Sequence, residues 1–179
     1  MDKKKLIIVT TVPETIFYIL KEQPKFLSSQ YDVVIITSSG PETPGIRARE
    51  GVEVFSLNMS RRISPGSDLI SLYKLTKLFL KLHPDIVHSY TPKAGLLSML
   101  AAFFARVNVR VHTFTGLIFP SRTGLSRALL ITTDKLTCFC ATTVVAESEG
   151  VRDDLRLVNV PCNDIRIIGS GNIAGVDEV

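Results

Sequence analysis

The sequence predicts an α/β fold, in which helices cover both faces of a parallel sheet of about seven strands. Apolar strand-like runs alternate with helical patterns along the 179 residues, and such alternation with short links is typical of a doubly wound sheet. The runs are rich in β-branched residues, as at Val33–Ile36, which suits strands that are covered on both faces. With 45% hydrophobic and 21% charged residues, the composition is that of an ordinary globular domain.

Each predicted strand is a short apolar run bounded by polar or turn-forming residues. In chain order these strands are Leu6–Thr10, Asp32–Thr37, Val52–Leu57, Ile86–Ser89, Val109–Phe114, Thr143–Ala146 and Ile165–Ile168. Helices, recognised by apolar residues three or four positions apart, are predicted at Glu14–Leu27, Ser67–Leu82, Pro92–Arg106, Leu125–Ala141 and Glu149–Leu157. Clusters of glycine, proline and serine predict loops at Gly40–Gly45 and Ser60–Gly66.

The junction between the fourth strand and the third helix is the most informative segment. Pro92 suits the first helical position because its φ is fixed and its missing N–H would be unpaired there. Thr91 can accept a hydrogen bond from the first turn of the helix, and Lys93 adds a cation to amides that attract anions. The segment therefore predicts a ligand-binding rim at the carboxyl edge of the sheet.

Other polar or small residues are predicted at the same edge. Thr11 and Thr15 follow the first strand, where their hydroxyls could meet a sugar or phosphate, but helix capping by Thr11 explains them equally well. His88 ends its strand there as a candidate acid, base or hydroxyl partner, with a structural hydrogen bond as the alternative. Gly116 would let a ligand approach the backbone or would simply form a turn, and His112 is predicted to lie in the core.

The charge pattern favours an anionic ligand or a lipid surface. The net charge is +4, Trp is absent and no basic run is interleaved with aromatic residues, so nucleic-acid binding is not predicted. The predicted helix Ser67–Leu82 places Lys74, Lys77 and Lys81 in one stripe, which predicts contact with an anionic membrane. An ordinary amphipathic helix with its basic side toward water is the alternative.

Neither a metal site nor a cofactor is predicted. The three histidines and three cysteines show no ligand spacing. Gly169–Ala174 matches G-x-G-x-x-A after a strand, but a dinucleotide loop must open a helix and have an acidic residue about 20 positions further on. The chain ends within five residues of that segment, so we do not predict NAD binding.

Several ordered motifs resemble one known family. The segment DIVHSYTPKAG at Asp85–Gly95 resembles the VHxxTPKAG signature of bacterial family 4 retaining glycosyltransferases, in the branch that builds capsule, exopolysaccharide and O-antigen units. Similar matches to this branch are Thr11–Thr15, Arg62–Pro65 with Asp68 and Leu69, Thr113–Phe119, and Gly169–Asp177 at the passage into the family's second domain. The resemblance covers nearly the whole chain.

The resemblance implies a GT-B architecture, in which two Rossmann-like domains face each other across a cleft. In that architecture this chain is the amino-terminal half. Residues 1–168 would form the acceptor-side domain, residues 169–179 would begin the interdomain linker, and the donor-binding domain would be absent. The absent half holds most of the nucleotide-sugar donor in this family, so no catalytic residue is assigned and the fragment alone is expected to be inactive.

The resemblance also implies a lipid-linked saccharide acceptor at the carboxyl edge. The substrate-binding residues expected there are Thr11, Thr15, His88, Thr91, Lys93, Gly95, Thr115 and Gly116. Lys93 is the expected diphosphate contact, with a solvated lysine as the alternative. Many family members carry a histidine where this chain has Thr115, which could still offer a hydroxyl to a sugar.

The expected location is cytoplasmic, with peripheral contact at the inner membrane. The apolar run Leu6–Val9 after the basic start is too short for a signal peptide. Two other functions stay open. A non-catalytic acceptor-binding or membrane-anchoring subunit of a split transferase would need a donor-binding partner, and a sugar-nucleotide epimerase of the same GT-B shape would release free sugar without an acceptor.

Overall fold

The computed structural model describes residues 3–60, 64–160, 164–169 and 171, and these residues form a doubly wound sheet of seven parallel strands. The strands are β1 (Lys5–Val9), β2 (Asp32–Thr37), β3 (Glu53–Ser56), β4 (Ile86–Tyr90), β5 (Val109–Phe114), β6 (Thr143–Ala146) and β7 (Ile165–Arg166). Their spatial order is β3-β2-β1-β4-β5-β6-β7, and every neighbouring pair is parallel. This order confirms the predicted Rossmann-like α/β fold.

The helices connect successive strands. They are α1 (Gln23–Leu27), α2 (Thr43–Glu50), α3 (Pro65–Leu82), α4 (Pro92–Phe104), α5 (Gly124–Cys140) and α6 (Glu149–Leu157), with a π-helical turn at Thr15–Ile19 and a 3₁₀ turn at Phe119–Ser121. The bounds of β2, β5, β6 and α6 are those predicted. Among the described residues, no helix combines the length and the apolar character needed to span a bilayer.

The predicted helix Glu14–Leu27 is wrong as a single element, because it breaks into the π-helical turn and α1. Glu22 adopts a left-handed conformation with φ of 63°, and Pro24 lies in the first turn of α1, where the missing N–H is tolerated. The buried Glu50 carboxylate stabilises this break, since it accepts from the Glu22 and Lys25 N–H groups, each at 3.2 Å. The carboxylate thus caps α1 from a helix 25 residues further along.

The predicted loop Gly40–Gly45 is also wrong, because its second half is the first turn of α2. Pro44 occupies a first-turn position, where proline favours a helix rather than ending it. Gly51 ends α2 in a left-handed conformation with φ of 65°. Of the predicted loop Ser60–Gly66, residues 61–63 lie outside the described residues, and α3 already begins at Pro65.

Two apolar layers pack against the sheet, one on each face. The face that carries α3, α4 and α5 buries Val9, Ile36 and Val87 of the strands against Leu75, Phe79 and Met99 of the helices. The opposite face buries Ile8 and Ile35 against Ile16 of the π-helical turn and Ile46 of α2. Because successive residues of a strand point to opposite faces, the unbroken apolar runs of β1 and β2 supply both layers.

The central strands β1 and β4 define the place where a ligand can enter. They are neighbours in the sheet although β3 and α3 come between them in the chain. The chain leaves β1 toward the face of Ile16 and leaves β4 toward the face of Met99. In parallel sheets of this kind, the crevice between two such diverging connections, at the carboxyl edge, is the usual ligand site.

Candidate functional site

Two threonines form hydrogen bonds with each other across the crevice between β1 and β4. Thr91 Oγ1 lies 2.8 Å from Thr11 Oγ1 and accepts from the Thr11 N–H at 3.2 Å. Thr11 Oγ1 in turn accepts from the Ala94 N–H at 3.1 Å. The expected cap on α4 is therefore present, but Thr11 supplies it from across the crevice, and the prediction that Thr91 itself caps the helix is wrong.

The backbone at Thr91 is strained. Its φ is 68°, in the region that β-branched residues rarely adopt. Strain of this kind persists only where the surrounding contacts over-determine it, and it is concentrated at functional sites. Here the Thr11 contacts and the Gly95 N–H, which donates to the Thr91 carbonyl at 2.8 Å, hold the residue in place.

Lys93 lies in an ion pair. Its Nζ is 2.8 Å from both carboxylate oxygens of Asp68 in the first turn of α3, and both side chains are mostly buried. Asp68 also accepts from the Ser64 N–H at 3.3 Å. The pair therefore fixes the amino terminus of α3 beside that of α4, and the Lys93 charge is largely balanced before any ligand arrives. Contact between Lys93 and a diphosphate stays a prediction.

Gly95 has a packing role in this structure. It is buried, and a Cβ at this position would collide with the His112 imidazole. His112 is itself buried in the core, as predicted, and its Nδ1 lies 2.8 Å from the Ser89 hydroxyl. Burial lowers the pKa of His112 to about 3, so the ring is neutral at physiological pH. A substrate contact by Gly95 stays a prediction.

His88 is part of a chain of hydrogen bonds on the opposite face of the sheet. Its Nε2 lies 2.8 Å from Thr113 Oγ1, and its Nδ1 lies 3.2 Å from the Tyr90 hydroxyl, which donates to Gln23 Oε1 at 3.2 Å. Because Tyr90 has one hydroxyl proton, His88 must donate through Nδ1 and accept from Thr113 through Nε2. Burial lowers the pKa of His88 to about 4, so this uncharged ring is a positioning group.

The residues that form these hydrogen bonds line one side of a cavity of about 140 Å³. Gln23, His88, Tyr90 and Thr113 lie on one side, and Glu147, Ile168 and Gly171 complete the lining. We call this cavity the Glu147 pocket. Glu147 follows β6 directly, and desolvation raises the pKa of its carboxyl. The sequence analysis missed Gln23, Tyr90 and Glu147, although Glu147 carries the same signal as His88, a polar residue at a strand end.

The remaining predicted substrate residues lie around this edge with different exposure. Thr115 and Gly116 follow β5 and are half-buried, and Gly116 has φ of 114°, a conformation that favours glycine. Thr15 is buried at the start of the π-helical turn. Of the eight predicted residues, only His88 lines the Glu147 pocket.

A second, very small cavity adjoins Gly116. It is lined by Gly116, Pro92 and Asp134 of α5, together with three apolar residues. Asp134 is buried, and desolvation raises the pKa of its carboxyl to about 7. At about 10 Å³, the cavity has room for roughly one water molecule.

The lysine stripe on α3 is exposed, as predicted, and it is accompanied by exposed apolar residues. Lys74, Lys77 and Lys81 all face solvent, and Lys77 lies over the Tyr73 ring at 5.0 Å. The exposed apolar residues of the same helix are Leu69, Ile70, Tyr73 and Leu80. We call these four residues with the three lysines the α3 surface. Within the described ranges, no group of three or more metal-ligating side chains is present.

Comparison with known proteins places this geometry in context. The model of the glycosyl transferase 4-like domain matches residues 25–171. The chain is 33% identical, over 98% of its length, to 46% of the capsular polysaccharide biosynthesis glycosyltransferase CapM of Staphylococcus aureus. It is 36% identical, over 57% of its length, to 26% of the UDP-Gal:alpha-D-GlcNAc-diphosphoundecaprenol alpha-1,3-galactosyltransferase of Escherichia coli. The chain thus spans less than half the length of these curated relatives.

Solved structures support the fold assignment. The complex of Anabaena Alr3699/HepE with UDP and glucose superposes with a TM-score of 0.72 over 94% of this chain and 45% of that protein, at 14% identity. The complex of S. aureus MnaA with UDP gives a TM-score of 0.67 over 93% of this chain and 44% of that protein, at 16% identity. At these identities the likeness shows the fold alone, and the matched region is again about half of each neighbour.

Proposed function

The chain belongs to the glycosyl transferase 4-like family, and from that premise we propose that it is the amino-terminal, acceptor-side domain of a retaining glycosyltransferase. The reaction would move a sugar from a nucleotide sugar to a lipid-linked saccharide during surface polysaccharide synthesis. The observation that carries this proposal is the convergence of the segments after β1, β4, β5 and β6 at one sheet edge. That edge is where a doubly wound domain presents its ligand site to a facing domain.

The division of the molecule follows the same proposal. Residues 1–168 would form the acceptor-side domain, and the segment from residue 169 would lead into a donor-binding domain. The relatives support this division, since the chain spans 46% of CapM and 26% of the galactosyltransferase. The name of the second relative includes both a UDP-sugar and a diphosphoundecaprenol-linked sugar, which supports a nucleotide-sugar donor and a lipid-linked acceptor for this family member.

The chemistry of glycosyl transfer suits the groups at this edge. As the bond to the nucleotide breaks, positive charge develops on the sugar ring and negative charge on the leaving diphosphate, and a closed cleft strengthens every stabilising contact. At this half of the cleft His88 is neutral and the Lys93 ammonium is already paired with Asp68, so neither adds an unbalanced positive charge. We infer that this half positions sugar rings and that the diphosphate is held mainly by the other half.

The α3 surface supports a location at the membrane. A lipid-linked acceptor must be reached at the bilayer, and lysines beside exposed apolar side chains suit an anionic lipid surface. The Lys93–Asp68 pair fixes the start of this helix at the carboxyl edge, so a bilayer in contact with the α3 surface would lie close to the crevice. We propose peripheral contact with the inner membrane through Lys74, Lys77 and Lys81.

A donor screen on the complete gene product tests the proposed function. The protein encoded by the reading frame that contains residues 1–179 is mixed with nucleotide sugars and a lipid-diphosphate-linked sugar. We expect transfer of one sugar with its anomeric configuration retained, as measured by NMR of the product, and no transfer by residues 1–179 alone. Epimerised free sugar formed without acceptor would instead establish an epimerase, and a reading frame that ends at Val179 would favour a subunit of a split transferase.

A further inference from the structure

We propose that the Glu147 pocket binds the ring hydroxyls of an uncharged sugar, with the Glu147 carboxylate as their hydrogen-bond acceptor and the Gln23 amide as a donor. The inference deepens the proposed function and rests on it for the origin of the sugar, which is either the transferred sugar of the donor or the terminal sugar of the acceptor.

The charge of the pocket selects a neutral ligand. Among the described residues that line it, Glu147 is the only charged side chain, because His88 is neutral at physiological pH. A phosphate or diphosphate in this pocket would face a carboxylate with no compensating cation, which is strongly unfavourable in a partly desolvated site. Sugar hydroxyls, which donate to carboxylates without carrying charge, fit this environment.

The hydrogen-bond directions leave the Gln23 NH₂ group and the Glu147 carboxylate available for a ligand. Thr113 donates to His88, His88 donates to Tyr90 and Tyr90 donates to the Gln23 oxygen, so these groups are satisfied within the protein. The Gln23 NH₂ group and the Glu147 carboxylate make no hydrogen bond with any described residue, and Gln23 and Glu147 are both lining residues of the pocket. The lining residues thus include one with an unused donor and one with an unused acceptor, which matches hydroxyl groups that both accept and donate.

The size of the pocket points to a single ring. A cavity of about 140 Å³ is well below the roughly 300–1,000 Å³ of pockets that enclose drug-sized ligands. A nucleotide therefore does not fit within it, whereas a sugar ring can present several hydroxyls to it.

Two glycines lie beside Glu147. A Cβ on Gly171 would lie 2.7 Å from the Glu147 carbonyl oxygen, so only glycine permits the segment after β7 to pack against Glu147. Gly116 also lies near Glu147, and a Cβ there would be at an ordinary contact distance of 3.6 Å from Glu147 Oε1. The segments that follow three neighbouring strands thus meet around Glu147, and the close Gly171 contact fixes its backbone.

Chemical-shift mapping on the 179-residue chain tests this site. The probes are the methyl glycosides of galactose, glucose and N-acetylglucosamine, with inorganic diphosphate as the anionic probe. We expect at least one glycoside to shift the amide signals of Val145, Ala146 and Glu147, and diphosphate to leave them unchanged. Glu147→Gln should weaken that glycoside about tenfold, which corresponds to the loss of one charge-assisted hydrogen bond.

Glu149→Gln is the matched control, because it removes a carboxylate two residues away that is exposed on α6 and paired with Arg152. Glycoside binding should be unchanged in this variant. Shifts caused by diphosphate at these amides, the absence of glycoside shifts, or equal binding by a well-folded Glu147→Gln variant would each overturn the proposal.

Kinetics of the complete transferase separate the two sources of the sugar. Glu147→Gln should raise the KM of the substrate whose ring occupies the pocket and leave the other KM unchanged. Glycoside binding to this pocket in a protein that transfers no sugar would contradict the proposed function while leaving the site intact.

Discussion

At the scale of single residues, Gly95 shows how a motif residue can be essential for packing. It lies in the segment that resembles a family signature, and the sequence analysis therefore assigned it to the substrate. The structure places the His112 ring where a Cβ would lie. The contact was not predictable, because it depends on the register that pairs His112 with Ser89 across two strands. The resemblance to the family signature is unaffected, because a glycine can be required in a motif to make room for a neighbouring side chain as well as to contact a substrate.

Gly95→Ala should destabilise the chain by about 1–3 kcal/mol, since the new methyl group must displace a buried ring in a closely packed core. Urea unfolding measures the free energy. Gly66→Ala is the control, because Gly66 also lies in the first turn of a helix but has nothing within 4 Å of an added Cβ. That change should be neutral or stabilise by about 0.4–1 kcal/mol. Equal stability of the two variants would contradict the packing role.

At the scale of elements, the errors of prediction share one cause, which is the position of proline. Pro24 and Pro44 were interpreted within a helix and within a loop, and both lie in the first turn of a short helix. The break before α1 depends on the Glu50 carboxylate, whose contacts with Glu22 and Lys25 cannot be inferred from sequence spacing. By contrast, the first and last residues of β2 and β5, whose apolar runs are long, agree with the prediction.

The α3 surface carries a prediction at this scale. Replacing Lys74, Lys77 and Lys81 together with glutamine should weaken binding to vesicles of anionic lipid by about a hundredfold, since each lysine near such a surface contributes about 1 kcal/mol. Vesicle sedimentation measures the change. The matched control replaces the exposed Lys4, Lys21 and Lys25, which removes the same charge elsewhere. An equal loss of vesicle binding in both variants would show that binding depends on net charge alone. In that case α3 would be an ordinary amphipathic helix.

At the scale of the whole molecule, the strand–helix alternation was sufficient to predict the sheet. The location of the site at the carboxyl edge followed from that sheet, and Thr11, Thr91 and His88 do lie there. The Glu147 pocket could not be assembled from the sequence, because its wall combines residues as distant as Gln23 and Gly171. Sequence patterns thus predicted the edge of the sheet at which the site lies, whereas the residues that line the pocket could be identified only from the three-dimensional structure.

The stability of the whole molecule should depend on pH through three buried groups. His88 and His112 have pKa values of about 4 and 3 in the fold, below the usual 6.5. Between pH 6.5 and 4 the unfolded chain therefore binds these two protons first, and stability falls with acidification. Asp134, with its pKa raised from 3.8 to about 7, acts in the opposite direction, because its proton is bound first in the fold. The net slope should be about one proton, or about 1.4 kcal/mol per pH unit.

Asp134→Asn separates these contributions. The variant should be more stable than the parent at pH 8, where the parent must bury a charged carboxylate, and this advantage should disappear near pH 4. Its stability should therefore fall more steeply with acidification, by about two protons. Urea titrations at several pH values give both slopes. Parallel curves for parent and variant would show that Asp134 is ionised in the fold.

The order of the strands also has a consequence for biosynthesis. Val9 of β1 pairs with Ser89 of β4, so β1, once it has left the ribosome, waits for a neighbour 80 residues later. At about 5–20 residues per second, that delay is about 4–16 s. During it, the edge of β1 that later pairs with β4 has no partner, and the apolar side chains of β1 are not yet covered by the complete fold. The nascent polypeptide is therefore expected to bind ribosome-associated chaperones until translation has passed Tyr90.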